Sequence, residues 1–561
     1  MSDANGRNGM GVDDAAVDAS YDVAVIGGGV NGTGVARDLS LRGLRVVLFE
    51  RHDLAFGASG NSSGMIHGGA RYLPTNPKVT RQSCQDSGYI QQIAPHLLFR
   101  IPFLMPVRAG ARGRIMIELL DAFFRAYDRY QPLKRGELHT RLDGQELAHL
   151  EPGLHGDLVG GVTFDEWGVD GTRLCVLNAL DAKERGAAVH VHTTVESLAR
   201  GPGEPRRYVI RARDRLTQKA FAVEATNVVN ATGAWGPITA TLGKLPGERV
   251  RVRPAKGIHV VFDRRLSNYA ILTEAIDGRQ IFLEPWENMS VIGTTDDDFF
   301  GDLDDVVATS EEVRYLVQGV ARVFPAIREA RAIGTTAAVR PTLYEYGPNE
   351  DALSREHAIV DHAQDGAPGV YSMIGGKLAS YRLFAEEMAD RLAPGTTCST
   401  HVKALPGGDA VPDALAVAEQ NELTPVAARR LVYRHGSRAK RILQRMVRRP
   451  RERAVVCPCE PVFEAEVRHV LQEEMARSVD DVARRTRLGL GACGGMRCAA
   501  RCGQIVADEL GLAPHEGIEQ ARTFLEGRAK TRIVAMGPGQ ARQEALAMAH
   551  LRATIGSKGR T

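Results

Sequence analysis

No window of this chain approaches the ~18 consecutive apolar residues that cross a membrane as a helix, so any membrane contact must come through a partner or a surface patch. Charge of one sign is lacking too. Lys and Arg number 71 against 68 Asp and Glu, a net charge of +3 over 561 residues, which excludes a general electrostatic attraction to nucleic acid. The opening "MSDANGRNGMGVDDAAVDAS" has neither the basic n-region nor the apolar h-region of a secretory signal. Residues 1–20 read as a flexible lead-in, and the chain as cytoplasmic. Internal repeats and long low-complexity runs are missing. Cysteine is scarce, with eight in all. Cys84, Cys175 and Cys398 stand alone, as small buried hydrophobes do in a reducing compartment. The other five crowd between Cys457 and Cys502, which calls for disulfides, zinc or an iron-sulfur cluster.

With 43% hydrophobic residues the chain has material for several packed domains. "YDVAVIGGGVNGTGVARDLSLRGLRVVLFE" runs from an apolar strand through Gly27, Gly29 and Gly32 into a helical segment and back to an apolar strand. Gly27 suits the tight turn, Gly29 admits a pyrophosphate to the backbone, and Gly32 allows helix and strand to pack closely. Glu50 ends the second strand, where a carboxylate accepts hydrogen bonds from ribose hydroxyls, so the nucleotide is of the FAD or NAD kind. A second Gly-rich strand-turn-helix signature is not found. That disfavours a flavoprotein reduced by NAD(P)H and leaves one bound cofactor that takes electrons from a substrate and passes them on.

Further motifs follow in order: "GASGNSSGMIHGGARYL", "NVVNATGAW", "KGIHVVF", "EPWENMSVIGTTD", "AVRPTL", "SREHAIV" and "GGKLASYR". Together they resemble the FAD-dependent glycerol-3-phosphate dehydrogenases, which belong to the D-amino-acid-oxidase-like flavoproteins, over about residues 20–435. The carboxy-terminal part, with "LPGG", "CPCE" and "RRTRLGLGACGGMRC", is similar to the catalytic chain of the anaerobic members. There a [2Fe-2S] module like the bacterioferritin-associated ferredoxins is appended.

The resemblance implies oxidation of sn-glycerol 3-phosphate to dihydroxyacetone phosphate, with hydride taken by FAD. It implies onward transfer through the cluster and partner subunits to a respiratory quinone, with peripheral membrane association through those partners. Arg71, Tyr72, Arg340 and Arg355 match positions that contact substrate, and guanidinium forks suit a phosphate dianion. Thr294 adds a hydroxyl donor. His259 is the candidate base, because a histidine accepts a proton at neutral pH. His67 and Lys377 match positions near the flavin ring, where an ammonium would stabilise the anionic reduced form. Ser62, Ser63, Gly68, Gly69, Ala231, Gly233 and Gly376 match stretches that run along FAD, and Val195 a strand that meets adenine. Asp165, Asp170 and Arg173 read as structural ion pairs between domains.

Cys457-x-Cys459 and Cys493-x4-Cys498 supply the four thiolates of a [2Fe-2S] cluster. Zinc sites more often use C-x2-4-C pairs, and nothing indicates the secretion that disulfides need. Cys502 shares a helix face with Cys498 and is the alternative fourth ligand. Two short helices are expected between the pairs, with Ser478 capping the second. Upstream, "RAKRILQRMVRRPRER" carries eight basic residues and one acid, either a solvated helix and linker with a hinge at Pro450 or a docking surface.

The expected architecture is α/β and α+β. A Rossmann-like FAD domain interleaved with an antiparallel substrate sheet spans residues 21–395, and a helical segment and basic linker span 396–452. The [2Fe-2S] module occupies 453–510, and a helix and tail 511–561. Two other readings compete: the same fold acting on a 2-hydroxy acid or amino acid, and a non-catalytic redox adaptor.

Overall fold

The computed structural model describes residues 17–74, 76–201, 206–245, 249–345, 347 and 356–555. Arg355, the side chain of Arg71 and residues 1–16 lie outside that description.

The apolar stretch from Val23 to Ile26 is buried throughout, as a strand covered on both sheet faces requires. Strand Ala19–Ile26 sits at the centre of a sheet with parallel neighbours Val46–Phe49 and Ala220–Asn230. Beyond them lie Ala188–His190 on one side and Val370–Gly375 on the other, with His357–Asp361 antiparallel at the edge. Helix Val30–Leu41 packs against helices Gly171–Glu184 and Tyr381–Leu392 on one face, around Val35, Leu39, Val176 and Phe384. The register pairs Ile26 with both Phe49 and Asn230. The carboxyl ends of three strands therefore open on one cleft, where doubly wound sheets bind ligands.

A second sheet has nine strands among the described residues. Its axis is the antiparallel pair Val252–Phe262 and Ala332–Leu343, in which His259 stands opposite Thr336. It departs from the expected antiparallel pattern at one place, where Ala270–Glu274 runs parallel to Leu98–Arg108. The expected fold class is otherwise what the chain adopts.

The carboxy-terminal third is helical. Helices Ala414–Gln420, Pro425–His435 and Ala439–Arg448 precede the short pair of strands Val455–Cys457 and Val462–Phe463. The two expected helices are Glu464–Glu473 and Val479–Thr486, and the Ser478 hydroxyl accepts the Asp481 N–H at 3.1 Å. After Ala499–Leu510 the chain forms two helices, Pro514–Ile533 and Pro538–Ile555, where one helix and a loose end were expected. Helix Pro514–Ile533 lies on the nine-stranded sheet, and the Thr335 hydroxyl donates to the Thr531 carbonyl at 2.6 Å.

The cysteine region is bolted to the two-sheet part of the chain. Arg485 holds Asp53 with both prongs of its fork, and Arg173 forms a buried ion pair with Glu474. Arg173 thus forms a structural ion pair, with a partner 301 residues away in the chain. Asp170 instead caps helix Gly171–Glu184 by accepting from Thr172 and Arg173 N–H groups, and Asp165 pairs with Arg100 within the nine-stranded sheet. The basic stretch is partly neutralised internally: Arg438 pairs with Glu184, and Arg445 and Arg449 share Glu452.

Candidate active site

Each glycine of the fingerprint has a separate geometric cause. Gly27 sits at φ +112°, and a Cβ there would stand 2.6 Å from the Ala231 carbonyl oxygen. A Cβ on Gly32 would drive into the Gly27 carbonyl. Gly29 is different, since its nearest neighbour would be the Ser59 hydroxyl at 3.3 Å, so its backbone stays open to the cleft. The helix amino terminus faces the same space, with the Val30 N–H donating to Ser59 Oγ at 3.0 Å. Glu50 is half-buried, and the desolvation of its carboxyl pushes it above the usual range; its two oxygens accept the Gly28 and His52 N–H groups at 2.7 and 2.8 Å.

Gly27, Gly29, Val30, Glu50, His52 and Ser59 line a cavity of about 310 Å³ with Val195, Ala231 and Gly233. Its donor set is that of a dinucleotide site: open N–H groups for phosphates, the half-buried Glu50 carboxylate for ribose, and apolar Val195 for a base. FAD fits it. Phe56, Gly57, Trp235 and Val339 also line a larger cavity of about 700 Å³, which contains Ser62, His259 and Thr336.

His259 Nδ1 lies 3.2 Å from Thr336 Oγ1, and the Thr336 hydroxyl faces the Asn61 carbonyl at 3.5 Å. Among the described residues the buried Nε2 has no hydrogen-bond partner. Burial, and secondarily the charge of Arg340, pushes the imidazole down to about 3, so it is neutral. Arg340 donates to Asp296 and Thr294, both at 2.7 Å, and to the Thr295 carbonyl at 3.1 Å. The structure therefore brings His259, Thr294 and Arg340 together on one patch of the sheet.

A second group gathers behind the "MIHGGARYL" loop. The Lys377 ammonium lies 3.9 Å from the centre of the Tyr72 ring, and Thr80 donates to the Gly69 carbonyl at 3.1 Å. The Gly68 N–H donates to Glu166, which also receives Lys134 at 2.6 Å and the Tyr127 hydroxyl at 3.0 Å. Asn31, at the nucleotide cleft, donates to the Gly375 carbonyl at 3.3 Å, which sets Gly376 beside the helix start. His67, half-buried, and Ser63 belong to the same loop. None of His67, Tyr72 and Lys377 lines either cavity.

The cysteines form two pairs. Cys459 Sγ and Cys493 Sγ are 3.7 Å apart, and Cys457, hydrogen-bonded to Cys498, has its thiol pulled down to about 6 by that bond. Two thiolates on one tetrahedral metal with ~2.3 Å bonds lie ~3.8 Å apart, and a zinc tetrahedron would hold all four so. Among the described residues, the only group of three or more such side chains with all ligand atoms within 4.8 Å of one another is His435, His469 and Glu474, so no three of the cysteines share one centre. Two close pairs without a common centre fit a two-iron cluster. Cys502, fully buried with its thiol pushed up by burial, joins neither pair.

Reading the sequence missed Ser59, although it lies inside the quoted "GASGNSSG". It also missed Arg484, Arg487 and Arg528, which roof the larger cavity from the carboxy-terminal helices. No local pattern marks them.

Comparison with known proteins agrees with this geometry. A family described as FAD dependent oxidoreductase matches residues 22–390, and the C-terminal domain of alpha-glycerophosphate oxidase matches residues 398–516. The chain is 34% identical over 520 residues to a subunit of the anaerobic glycerol-3-phosphate dehydrogenase of Escherichia coli K12, covering 91% of this chain and 92% of that protein. It is 33% identical over 496 residues to a glycerol-3-phosphate dehydrogenase of Synechocystis, covering 83% and 88%. Among solved structures, the glycerol-3-phosphate dehydrogenase of Bacillus halodurans complexed with FAD shares the fold. Its TM-score is 0.72 at 24% identity, over 91% of this chain and 95% of that one. The chain belongs to the FAD-dependent oxidoreductases, and among them to the glycerol-3-phosphate dehydrogenases.

Proposed function

We propose that this chain oxidises sn-glycerol 3-phosphate to dihydroxyacetone phosphate and passes the electrons through a [2Fe-2S] cluster and partner subunits to a respiratory quinone. The observation that carries the reading is His259. Its ring is neutral and its buried Nε2 has no hydrogen-bond partner among the described residues, beside Arg340, on a cavity that shares Phe56, Gly57, Trp235 and Val339 with the dinucleotide cleft.

FAD, held by Gly27, Gly29, Glu50, Val195 and Ala231, supplies the hydride acceptor, and the cluster, on Cys457, Cys459, Cys493 and Cys498, supplies one-electron capacity. The chain's own residues do the rest. With the Thr336 hydroxyl aimed at the Asn61 carbonyl, its oxygen accepts from His259 Nδ1–H, and this tautomer leaves the Nε2 lone pair for the substrate hydroxyl proton. A dianion beside Arg340 offsets the guanidinium field and raises the basicity of His259. Thr294 and Asp296 hold the Arg340 fork in place. Arg71, Tyr72 and Arg355 complete the substrate contacts, and Lys377, over Tyr72, serves the flavin side with His67.

No helix among the described residues is long and apolar enough to cross a membrane. Docking at the cytoplasmic membrane face therefore falls to the partner subunits. The test is turnover with a quinone analogue as acceptor. Glycerol 3-phosphate should yield dihydroxyacetone phosphate while glycerol and lactate remain unused, and equal use of lactate would contradict the reading.

A further inference from the structure

The basic stretch, which the reaction does not use, ends beside the cysteine centre. Helix Ala439–Arg448 leads through residues 449–454 into strand Val455–Cys457, which carries the first cysteine of the centre. Pro458, between Cys457 and Cys459, is exposed, and so is Arg497, next to Cys498. The centre therefore lies just beneath the surface on this side. A run of ion pairs joins that helix to helix Ala499–Leu510, which starts at Cys498. Arg501 pairs with Glu464 at 2.7 Å, Glu464 with Arg468 at 2.9 Å, Arg468 with Glu452 at 3.7 Å, and Glu452 with Arg449 at 3.3 Å. The two helices thus share one face.

Within that run the acids lie underneath. The side chains of Glu452 and Glu464 are 8% and 7% exposed, against 64% for Arg449 and 54% for Arg501. What arrives from outside therefore meets guanidinium. Arg448, Arg451 and Arg497 add to it, since all three are exposed and form no ion pair among the described residues. Apolar side chains interrupt the same stretch in the open: Val447 is 73% exposed, Val455 52%, and Pro458 stands out beside them in sequence. Apolar groups set among arginines, with the acids withdrawn, are the composition of a protein–protein interface. A helix that lies on a bilayer needs instead a continuous face of Leu, Phe or Trp. Because a [2Fe-2S] centre gives up one electron at a time, whatever docks over it has to accept a single electron.

We propose that this face, from Val447 to Pro458 together with Arg497, is the docking surface of an acidic one-electron carrier protein, whose carboxylates meet Arg448, Arg451 and Arg497. It rests on the electron exit through the cysteine centre proposed above, and adds where the partner sits and what charge it carries. One electron passes from the reduced centre to the carrier's metal, with no bond made and no proton moved.

The test uses the full chain, purified anaerobically with flavin and iron bound, and the variant R448E/R451E. Both are reduced with dithionite and freed of the excess. Two oxidised probes report on the surface: plastocyanin, an acidic copper protein, and cytochrome c, a basic haem protein. Surface plasmon resonance reads their binding, and stopped-flow absorbance reads their reduction. At low salt R448E/R451E should bind plastocyanin about 10-fold more weakly and reduce it about 10-fold more slowly than the wild type, while cytochrome c gains on both measures. At ~1 M salt, where the screening length falls to about 3 Å, the two proteins should converge. R448Q/R451Q removes charge without reversing it; it should fall between them, and it replaces the reversal if that variant does not fold. Bleaching of the flavin by glycerol 3-phosphate should be the same in every variant. Unchanged binding and unchanged rates with both carriers overturn the docking surface and leave the reaction intact. Co-flotation of the wild type, but not of R448E/R451E, with vesicles of phosphatidylglycerol and phosphatidylcholine, with no change towards plastocyanin, assigns the face to anionic lipid and overturns the proposal. A wild type that ignores glycerol 3-phosphate yet keeps a preference for plastocyanin dependent on Arg448 and Arg451 overturns the reaction and upholds the surface.

Discussion

Arg485 and Asp53, 432 residues apart in the chain, form a buried two-pronged ion pair with donor–acceptor distances of 2.6 and 2.8 Å. Asp53 lies three residues past Glu50 of the nucleotide cleft, and Arg485 lies on the helix leading to Cys493. The pair therefore ties the cysteine centre to the cofactor site. Removing one partner strands a buried charge, so D53N or R485M should cost about 3–5 kcal/mol of stability. Electron delivery to the cysteine centre should slow more than substrate-dependent flavin reduction does. Chemical denaturation and stopped-flow absorbance check both; equal loss of the two rates would contradict a docking role.

The thiol pairing makes a prediction about metal content. C498S should lose iron and sulfide, because Cys498 is the partner of Cys457, whereas C502S should keep both. Iron and acid-labile sulfide assays on anaerobically purified protein decide this. Loss of iron in C502S with retention in C498S would exchange the two roles.

His259 sets a kinetic expectation. H259N should retain flavin and lower kcat by about 10²–10⁴-fold, the usual contribution of a general base. Since burial holds the imidazole near 3 in the free chain, the pH profile of kcat/KM should show no inflection near 6.5 that disappears in H259N. Such an inflection would mean that solvent reaches Nε2 before substrate does.

Glu284 offers a test of stability against pH. It is buried, neither oxygen has a hydrogen-bond partner among the described residues, and burial pushes its carboxyl up to about 8. The folded state therefore binds a proton more tightly than the unfolded state, whose carboxyl titrates near 4.5. Stability from this group is full below 4.5 and is lost as pH rises through 8, by about 3–5 kcal/mol. E284Q should melt above the wild type at pH 8, with the gap closing toward pH 5. Parallel curves would contradict the assignment.

The fold was legible wherever its cause was local. Gly27, Gly29 and Gly32 act within one turn of chain, and the burial of Val23 to Ile26 follows from an unbroken apolar run. Capping by Ser478 needed only Asp481 three residues on. Across long separations the sequence was silent. The His259–Thr336 contact depends on register between strands 77 residues apart, and nothing in "RRTRLG" announces that Arg485 will meet Asp53. Asp165 and Asp170 were recognisable as structural, but their partners were not. Arg528 escaped because an arginine on an exposed-looking helix is indistinguishable by pattern from a solvated one. Its place in the cavity roof is visible only once the sheet beneath it is in place.

The most direct measurement is the visible absorption of anaerobically purified protein titrated with glycerol 3-phosphate. The flavin bands should bleach on addition, in protein that contains iron and acid-labile sulfide in equal amounts. Flavin bands that persist at saturating glycerol 3-phosphate would contradict the proposed substrate, and zinc in place of iron would contradict the electron exit through Cys457, Cys459, Cys493 and Cys498.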